Sequence, residues 1–317
     1  MSEPLQTPIK KKPGRPPKNP TTIPMMVVGG VATKARAEGS VVELVYNVPK
    51  VFKQILNLLK KMHVEDVNIQ FEPTYMRISA VDFHERSNIY VTIDGNCMTH
   101  YYCAEPVQVC FKRDALEIPF ESTSAKHDEV MFIIDGGENR SKMAVCIHDP
   151  EPDKYSRYDM HVLAATSAVP VERDDSDYPL QFKMSFASFK NQIAVIKKVS
   201  KSFHISKSYD GQLKFISDHT GGNDATRRAI CLTDFYQSDT KISLVSTITP
   251  GDTLFAIMHV EYISPLSDSG LTGDVTMRVD QTGKVSFTTH LQPSDRGNAV
   301  TVKVFTTMVT PTYRTDS

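Results

Sequence analysis

The residues whose chemistry could serve catalysis or metal binding show no spacing that would make them work together. The cysteines include no Cys-x-x-Cys pair, so neither a zinc ribbon nor a disulfide scaffold is indicated, and reduced thiols inside a cell fit best; they are Cys97, Cys103, Cys110, Cys146 and Cys231. His84-Glu85 begins like a zinc-binding His-Glu-x-x-His motif, but Asn88 occupies the place of the second histidine. Phosphate-binding glycine loops and serine nucleophile motifs are missing. We therefore predict no enzyme, no metal and no cofactor.

Lysines show the most consistent pattern, and the chemistry open to them is contact with phosphate. Residues 48–62 and 186–203 contain no acid and carry four lysines each, namely Lys50, Lys53, Lys60 and Lys61, then Lys190, Lys197, Lys198 and Lys201. Each set could be an ordinary solvated helix face. Its recurrence in a second segment of an acidic body favours the alternative, a surface that follows the DNA backbone without reading sequence. Such binding is weak and depends strongly on salt.

Helices must hold these lysines on one side. At 100° per residue, the apolar residues of 48–62 fall in one arc and the lysines in the opposite arc, and the same holds for 186–203. We therefore predict an amphipathic helix over each segment, with Phe203 on the apolar face of the second. The sequence also predicts one strand over 100–111 and a short helix over 112–120, limited by Pro119.

The second half of the chain repeats the first. Phe52-Lys53 and Lys60-Lys61 match Phe189-Lys190 and Lys197-Lys198 at an offset of 137 residues. The strand that starts at Val275 matches the one at Val130 at an offset of 145. A period this long indicates a duplicated α+β domain rather than a solenoid. We predict a flexible arm over 1–39, one domain over 40–163, an acidic connector over 164–179, a second domain over 180–312 and a tail over 313–317.

The predicted arm differs in charge from the rest of the chain. It holds seven Lys and Arg residues against two acids, and seven of the nineteen prolines. Its centre, Lys-Lys-Lys-Pro-Gly-Arg-Pro-Pro-Lys, resembles an AT-hook, in which a Gly-Arg-Pro core enters the DNA minor groove. Pro13, however, takes the place of the first arginine of that motif. Contact with DNA, a nuclear localisation signal and a solubilising tail remain open for Lys10, Lys11, Lys12, Arg15 and Lys18.

Several short motifs, taken in order, resemble the proliferating cell nuclear antigen (PCNA) type of DNA sliding clamp. The run from Tyr155 to Leu163 looks like the clamp strand that leads into the connector, and Tyr178 stands where the connector's closing tyrosine is expected. Tyr101-Tyr102-Cys103 looks like the family's Tyr-x-Cys, and Met308–Pro311 sits like its C-terminal Ala-Pro segment. The basic arm and the Thr-Ile-Asp-Gly run at 92–95 look most like the clamps of large double-stranded DNA viruses of the asfarvirus type.

The resemblance implies the DNA-clamp fold, with helices lining the inner face of a homotrimeric ring and antiparallel sheets outside. The ring would encircle duplex DNA as a processivity factor and tether a DNA polymerase and other replication and repair proteins, with no membrane involved. Lys112 and Arg113 would join the DNA-facing lysines, and residues 158–163 of one subunit would pair with 227–233 of the next. The protein would work inside the cell, in the nucleus or at a cytoplasmic viral replication site.

The resemblance also implies a hydrophobic pocket beneath the connector that binds partner proteins. Carried over by position, its residues are Val81, Ile89, Val169, Pro170, Val171, Tyr178, Val309 and Pro311. The chain departs from the family at Pro119 and Pro265, which predict short second helices. The alternative is a clamp-fold processivity factor that binds DNA as a monomer or dimer without encircling it, with affinity supplied by the arm.

Overall fold

The computed structural model describes residues 39–121, 123, 129–137, 140–149, 154–163, 178–209, 212–218, 230–235, 243–248, 250, 253–280, 284–291 and 300–306. The basic residues of the arm, residues 164–177 of the predicted connector and residues 307–317 lie outside these ranges. So do five residues of the predicted partner pocket, which are Val169, Pro170, Val171, Val309 and Pro311.

The first half of the chain contains nine strands and two α-helices among its described residues. In chain order they are β1 (Ser40–Tyr46), α1 (Pro49–Lys61), β2 (Asp66–Phe71), β3 (Tyr75–Val81), β4 (Ser87–Asp94), β5 (His100–Cys103), β6 (Val107–Lys112), α2 (Arg113–Glu121), β7 (Glu129–Asp135), β8 (Lys142–Asp149) and β9 (Lys154–His161). A short 3-10 turn, Gly95–Cys97, precedes β5.

The described part of the second half has the same succession of elements. They are β10 (Leu180–Ser185), α3 (Phe186–Val199), β11 (Ser202–Ser208), β12 (Leu213–Asp218), β13 (Ile230–Phe235), β14 (Ser243–Ser246), β15 (Thr253–His259), α4 (Val260–Ser267), β16 (Asp274–Val279), β17 (Val285–Leu291) and β18 (Val300–Thr306). Every element from β1 to β9 therefore has a counterpart from β10 to β18, which is the topology of a duplicated α+β unit.

The strands form three antiparallel sheets. One has the order β5-β1-β7-β8-β9 and another the order β13-β12-β11-β15. The largest has nine strands in the order β14-β10-β16-β17-β18-β4-β3-β2-β6, so it crosses from one half of the chain to the other. The crossing point is the pairing of β18 with β4, where Val304 lies opposite Ile89. The two halves are therefore joined by a continuous sheet.

The two long helices form for local reasons that the sequence already contains. Pro49 stands in the first turn of α1, where a missing N–H costs nothing, and Lys60 and Lys61 lie near the negative end of the helix dipole. The Ser185 side chain caps α3 by accepting a hydrogen bond from the Ser188 N–H at 3.1 Å. The apolar arc of each helix is buried in the core.

Two of the sequence predictions about elements are wrong. The predicted strand over 100–111 is two strands, and β5 and β6 belong to different sheets. The second amphipathic helix ends at Val199 rather than at Phe203. Phe203 is fully buried, but it lies in β11, where strand alternation also directs it into the core. An apolar residue at a helical spacing cannot by itself tell a last turn from the following strand.

Aromatic clusters fill the core of each half. Phe52 of α1 contacts Tyr46, Phe120 and Phe132, with ring centroids 5.2 to 5.5 Å apart. Phe189, the counterpart of Phe52, lies 5.8 Å from the ring of Phe287. Both phenylalanines are buried, so the helix with the lysines is anchored from below in each half.

Candidate DNA-facing helices and partner surface

The four helices lie side by side in one row. Helix α2 packs on α1, α1 packs on α4, and α4 packs on α3, so α1 and α4 meet across the two halves of the chain. At this joint the Asn57 side-chain N–H donates to the Ser269 carbonyl at 2.5 Å, and Gln54 donates to the Gly270 carbonyl at 3.3 Å. The row ends with α2 on one side and α3 on the other.

Five of the predicted DNA-binding lysines are exposed and form no ion pair with a described residue. They are Lys50, Lys61, Lys190, Lys198 and Lys201. Because three of them lie on or directly after α3, this helix offers the larger set of free cations. Such flexible side chains can follow phosphates without fixing a register.

The other predicted cations are already engaged inside the chain. Lys53 donates to the Thr123 carbonyl at 2.5 Å. Lys60 lies 3.1 Å from Glu117, Lys112 lies 2.7 Å from Asp66, and Lys197 lies 3.6 Å from Asp268.

Arg113 forms more contacts inside the chain than the other predicted cations. It contacts Asp114 and Glu117 and donates to the Val64 carbonyl at 2.9 Å, with only 16% of its side chain exposed. Helices α2 and α4 are nine and eight residues long and contain Pro119 and Pro265, as the departure from the family pattern predicted. We therefore rank Lys112 and Arg113 below the lysines of α3 as candidate phosphate contacts.

Strands β9 and β13 are edge strands of their sheets. Their counterparts in the repeat, β18 and β4, pair with each other inside the chain. The ladder Phe132–Val145–Tyr158 corresponds to Met277–Phe287–Val304, so Tyr158 is the counterpart of Val304. The pair Ser217–Cys231 likewise corresponds to Ala80–Ile89. An open strand edge of this kind is a template for pairing with another chain.

Two apolar side chains at the ends of the helix row are exposed. Ile118 of α2 is 55% exposed and Val195 of α3 is 47% exposed. The counterpart of Val195, 137 residues earlier, is Leu58 of α1, which packs in the interior of the row and is fully buried. Val195 is thus exposed at a position whose counterpart in α1 is buried.

Three of the predicted pocket residues lie in the described part of the chain. Val81 ends β3 and is half-buried, and Tyr178 lies just before β10 and is half-buried. Ile89 of β4 is fully buried, with Ala80 and Val304 opposite it on the neighbouring strands, so it is not accessible to a partner.

Val81-Asp82 resembles the Met-Asp that precedes the front-face loop of clamps, but sequence reasoning alone did not single out Phe83 in the loop between β3 and β4. Its tip residue Phe83 is 64% exposed. The Asp82 carboxylate fixes the loop by accepting hydrogen bonds from the Arg86 and Ser87 N–H groups at 2.6 and 2.7 Å. Arg86 lies over the Tyr262 ring of α4, 4.8 Å from its centre. Asp82 followed four residues later by arginine was the available signal, but a side chain that caps its own loop is common in turns.

The half-buried thiols of Cys97 and Cys103 are poor nucleophiles. Burial raises the pKa of Cys97 and of Cys103 to about 11, and the carboxylate of Asp94 adds to the effect at Cys97. A thiol with so high a pKa is protonated at neutral pH and is a poor nucleophile. Among the residues that the structure describes, no group of three or more His, Cys, Asp or Glu side chains is placed to hold a metal ion.

The fold defined by these sheets and helices is that of a sliding clamp. PCNA from Thermococcus kodakaraensis superposes with a TM-score of 0.68, and the match covers 84% of this chain and all of that one at 13% sequence identity. The chain thus has the PCNA fold, and the fold class expected from the sequence is confirmed.

Relatives by sequence come from African swine fever virus. Proteins described as uncharacterized, from isolates of Kenya, South Africa and Namibia, are each 21% identical over 294 residues, covering 88% of this chain and 93% of theirs. The expected resemblance to PCNA-type clamps and to an asfarvirus protein is confirmed. No family model matches the chain. Among the described helices, none has the length and apolarity needed to cross a membrane.

Proposed function

We propose that this protein is a DNA sliding clamp: a homotrimeric ring that encircles duplex DNA and tethers a DNA polymerase and other replication and repair proteins. It performs no chemistry of its own and acts as a processivity factor. The similarity to a viral protein makes a viral origin the best interpretation, with work inside the cell, in the nucleus or at a cytoplasmic replication site.

The pairing of β18 with β4 inside the chain is the observation that carries the proposal. The same two strands of the repeat, β9 and β13, are left as sheet edges in a single copy. Transferring the internal register to two copies places Tyr158 opposite Cys231, which agrees within two residues with the pairing of 158–163 and 227–233 expected from the sequence. Repeating one joint between copies closes a ring and removes the free edges.

The helix row supports the same arrangement. When β9 pairs with β13 of a neighbour, α2 and α3 become adjacent, as α4 and α1 are inside the chain. Ile118 and Val195 then lose their exposure to water, which is favourable by about 25 cal/mol for each Å² of apolar surface. A continuous ring of helices would present the free lysines of α1 and α3 to the phosphates that pass through it.

Retention on DNA tests the function. The full-length protein is placed on nicked circular and on linear duplexes of equal length, and its residence is measured after dilution, with its native mass recorded in parallel. We expect a mass of three copies of 35.5 kDa, retention on circles and rapid loss from linear ends that is prevented when the ends are blocked. Equal retention on circular and linear DNA by a monomer or dimer would refute encirclement and support the alternative factor that relies on its arm.

A further inference from the structure

An acidic hollow lies beside the loop between β3 and β4. It has a volume of about 470 Å³ and is lined by Glu65, Asp66, Val81, Asp82, Phe83, Glu85 and Asn88. Lys112 balances part of this charge, because its ammonium lies 2.7 Å from Asp66 and 3.9 Å from Glu65. Arg86 is not part of the lining; it lies 3.8 Å from Glu261 and over the Tyr262 ring. The hollow therefore keeps an excess of negative charge.

Phe83 stands at the rim of the hollow and is held there. The Asp82 carboxylate binds two backbone N–H groups of the loop, and the Glu85 N–H donates to the Asp82 carbonyl at 2.9 Å. An exposed aromatic ring on a fixed loop next to carboxylates suits a ligand that is both apolar and basic. A neighbouring hollow of about 610 Å³ shares Phe83 and Glu65 with it, but Lys60, Lys112 and Arg113 outnumber Glu65 and Asp114 in its lining, so it suits a basic ligand less well.

The chain itself contains a segment with these properties. Residues 10–18 carry five basic residues and three prolines, and no acid lies between Pro4 and Ala37. Pro13 and Pro16 have the P-x-x-P spacing of segments that bind aromatic surfaces as a polyproline helix, with basic residues beside acidic ones. The 20 residues between Lys18 and Gly39 can span about 60 Å at ~3.1 Å per residue, so reach does not limit contact.

We propose that the acidic hollow beside Phe83 binds residues 10–18 of the protein's own N-terminal arm. The prolines pack on the Phe83 ring, and Lys and Arg side chains pair with Glu85 and share Glu65 and Asp66 with Lys112. Covalent attachment holds the arm at a local concentration in the millimolar range, so weak contacts suffice. Because Val81 also belongs to the predicted partner pocket, the docked arm would occupy part of that surface and compete with partner proteins.

A peptide titration in the absence of DNA tests this contact. The acceptor is the full-length chain with Lys10, Lys11, Lys12, Arg15 and Lys18 changed to serine, and the probe is a labelled peptide of residues 8–20. We expect saturable binding, weakened about 10-fold or more by Phe83→Ala and by the pair Glu65→Gln and Glu85→Gln. Tyr209→Ala and Glu129→Gln remove an exposed aromatic and an exposed acid elsewhere and should leave binding unchanged.

Two results would overturn the proposal: no binding, or equal binding to the Phe83→Ala variant and its parent. Each variant's thermal midpoint is recorded, and because Phe83 is exposed we expect it to stay within a degree or two of the parent's. A photo-reactive phenylalanine at position 83 of the unmodified full-length chain gives a second reading. Cross-links to residues 8–20 support docking, and cross-links confined to other segments contradict it. Neither measurement contains DNA, so failure here is distinct from failure of the clamp function.

Discussion

Lysines that share one sequence pattern differ in whether a carboxylate already pairs with them. Lys190 and Lys198 of α3 are exposed without an ion pair to a described residue, whereas Lys60 and Lys112 face carboxylates at 3.1 and 2.7 Å. A cation that already has a carboxylate partner must exchange it for a phosphate, so it gains less from DNA. Free lysines should therefore dominate the salt dependence of binding.

We expect the double variant Lys190→Ala and Lys198→Ala to weaken DNA binding uniformly across sequences. Its slope of log affinity against log salt should fall by about 1 for each phosphate that the variant can no longer neutralise. Lys183→Ala is the matched control, because this lysine is half exposed but lies on β10 and pairs with Asp274 at 2.9 Å. Fluorescence anisotropy with a duplex at several salt concentrations measures both. An equal effect of the control would argue against α3 as the DNA-facing helix.

Comparing the strands of the two repeats shows which strand edges a single copy leaves unpaired. Strands β4 and β18 are satisfied by each other, while their counterparts β13 and β9 have one free edge each among the described strands. Tyr155 of β9 is 56% exposed in a single copy. If copies assemble as proposed, β9 and β13 would pair as their counterparts β18 and β4 do inside the chain.

A cross-link tests the transferred register. In the transferred register Tyr158→Cys would place a thiol opposite Cys231 of a neighbouring copy. Directly opposed residues of antiparallel strands have Cα atoms about 4.5 to 5.5 Å apart, which a disulfide can span. Under mild oxidation we expect covalent dimers and trimers on a non-reducing gel, reversed by reductant. Ser156→Cys, two residues away on the same strand, is the control and should cross-link much less. Equal ladders from both variants, or none from Tyr158→Cys, would disprove this register.

How far the sequence predicts the elements depends on periodicity. Helices α1 and α3 were predictable because Phe52 and Phe189 repeat with their lysines at a fixed offset, and the offset also exposed the duplication. The break between β5 and β6 was available from Pro106, since a proline inside an apolar run argues against one continuous strand, but only the topology assigns the two strands to different sheets. Lysine pairing was equally hidden: Glu117 lies 57 residues from Lys60, and only the packing of α2 on α1 brings them together. The predicted partner pocket stays untested, because most of its residues lie outside the described ranges.

At the scale of the whole molecule, stability and assembly should be linked. If copies pair through β9 and β13, only folded chains can associate, because the unfolded chain lacks these strand edges. Association then stabilises the folded state by mass action. We expect the thermal midpoint to rise with protein concentration over a hundredfold range, by several degrees. The Tyr158→Pro variant, which removes a β9 N–H, should lower the midpoint and lessen the dependence. A midpoint independent of concentration would indicate that single copies are the stable form.

The continuous sheet through β18 and β4 has a mechanical consequence. Six residue pairs and the helix contacts of Asn57 and Gln54 hold the two halves of one polypeptide together. Pulling them apart would shear a sheet of nine strands, whereas separating β9 from β13 of a neighbour leaves every copy folded. In a ring of three copies, three of the six junctions between domains would thus lie within a polypeptide, and the other three would lie between copies and could separate. A protein that loads such a ring onto DNA would have to separate two copies. The ring would then open at an interface between copies, while each two-domain polypeptide stayed intact.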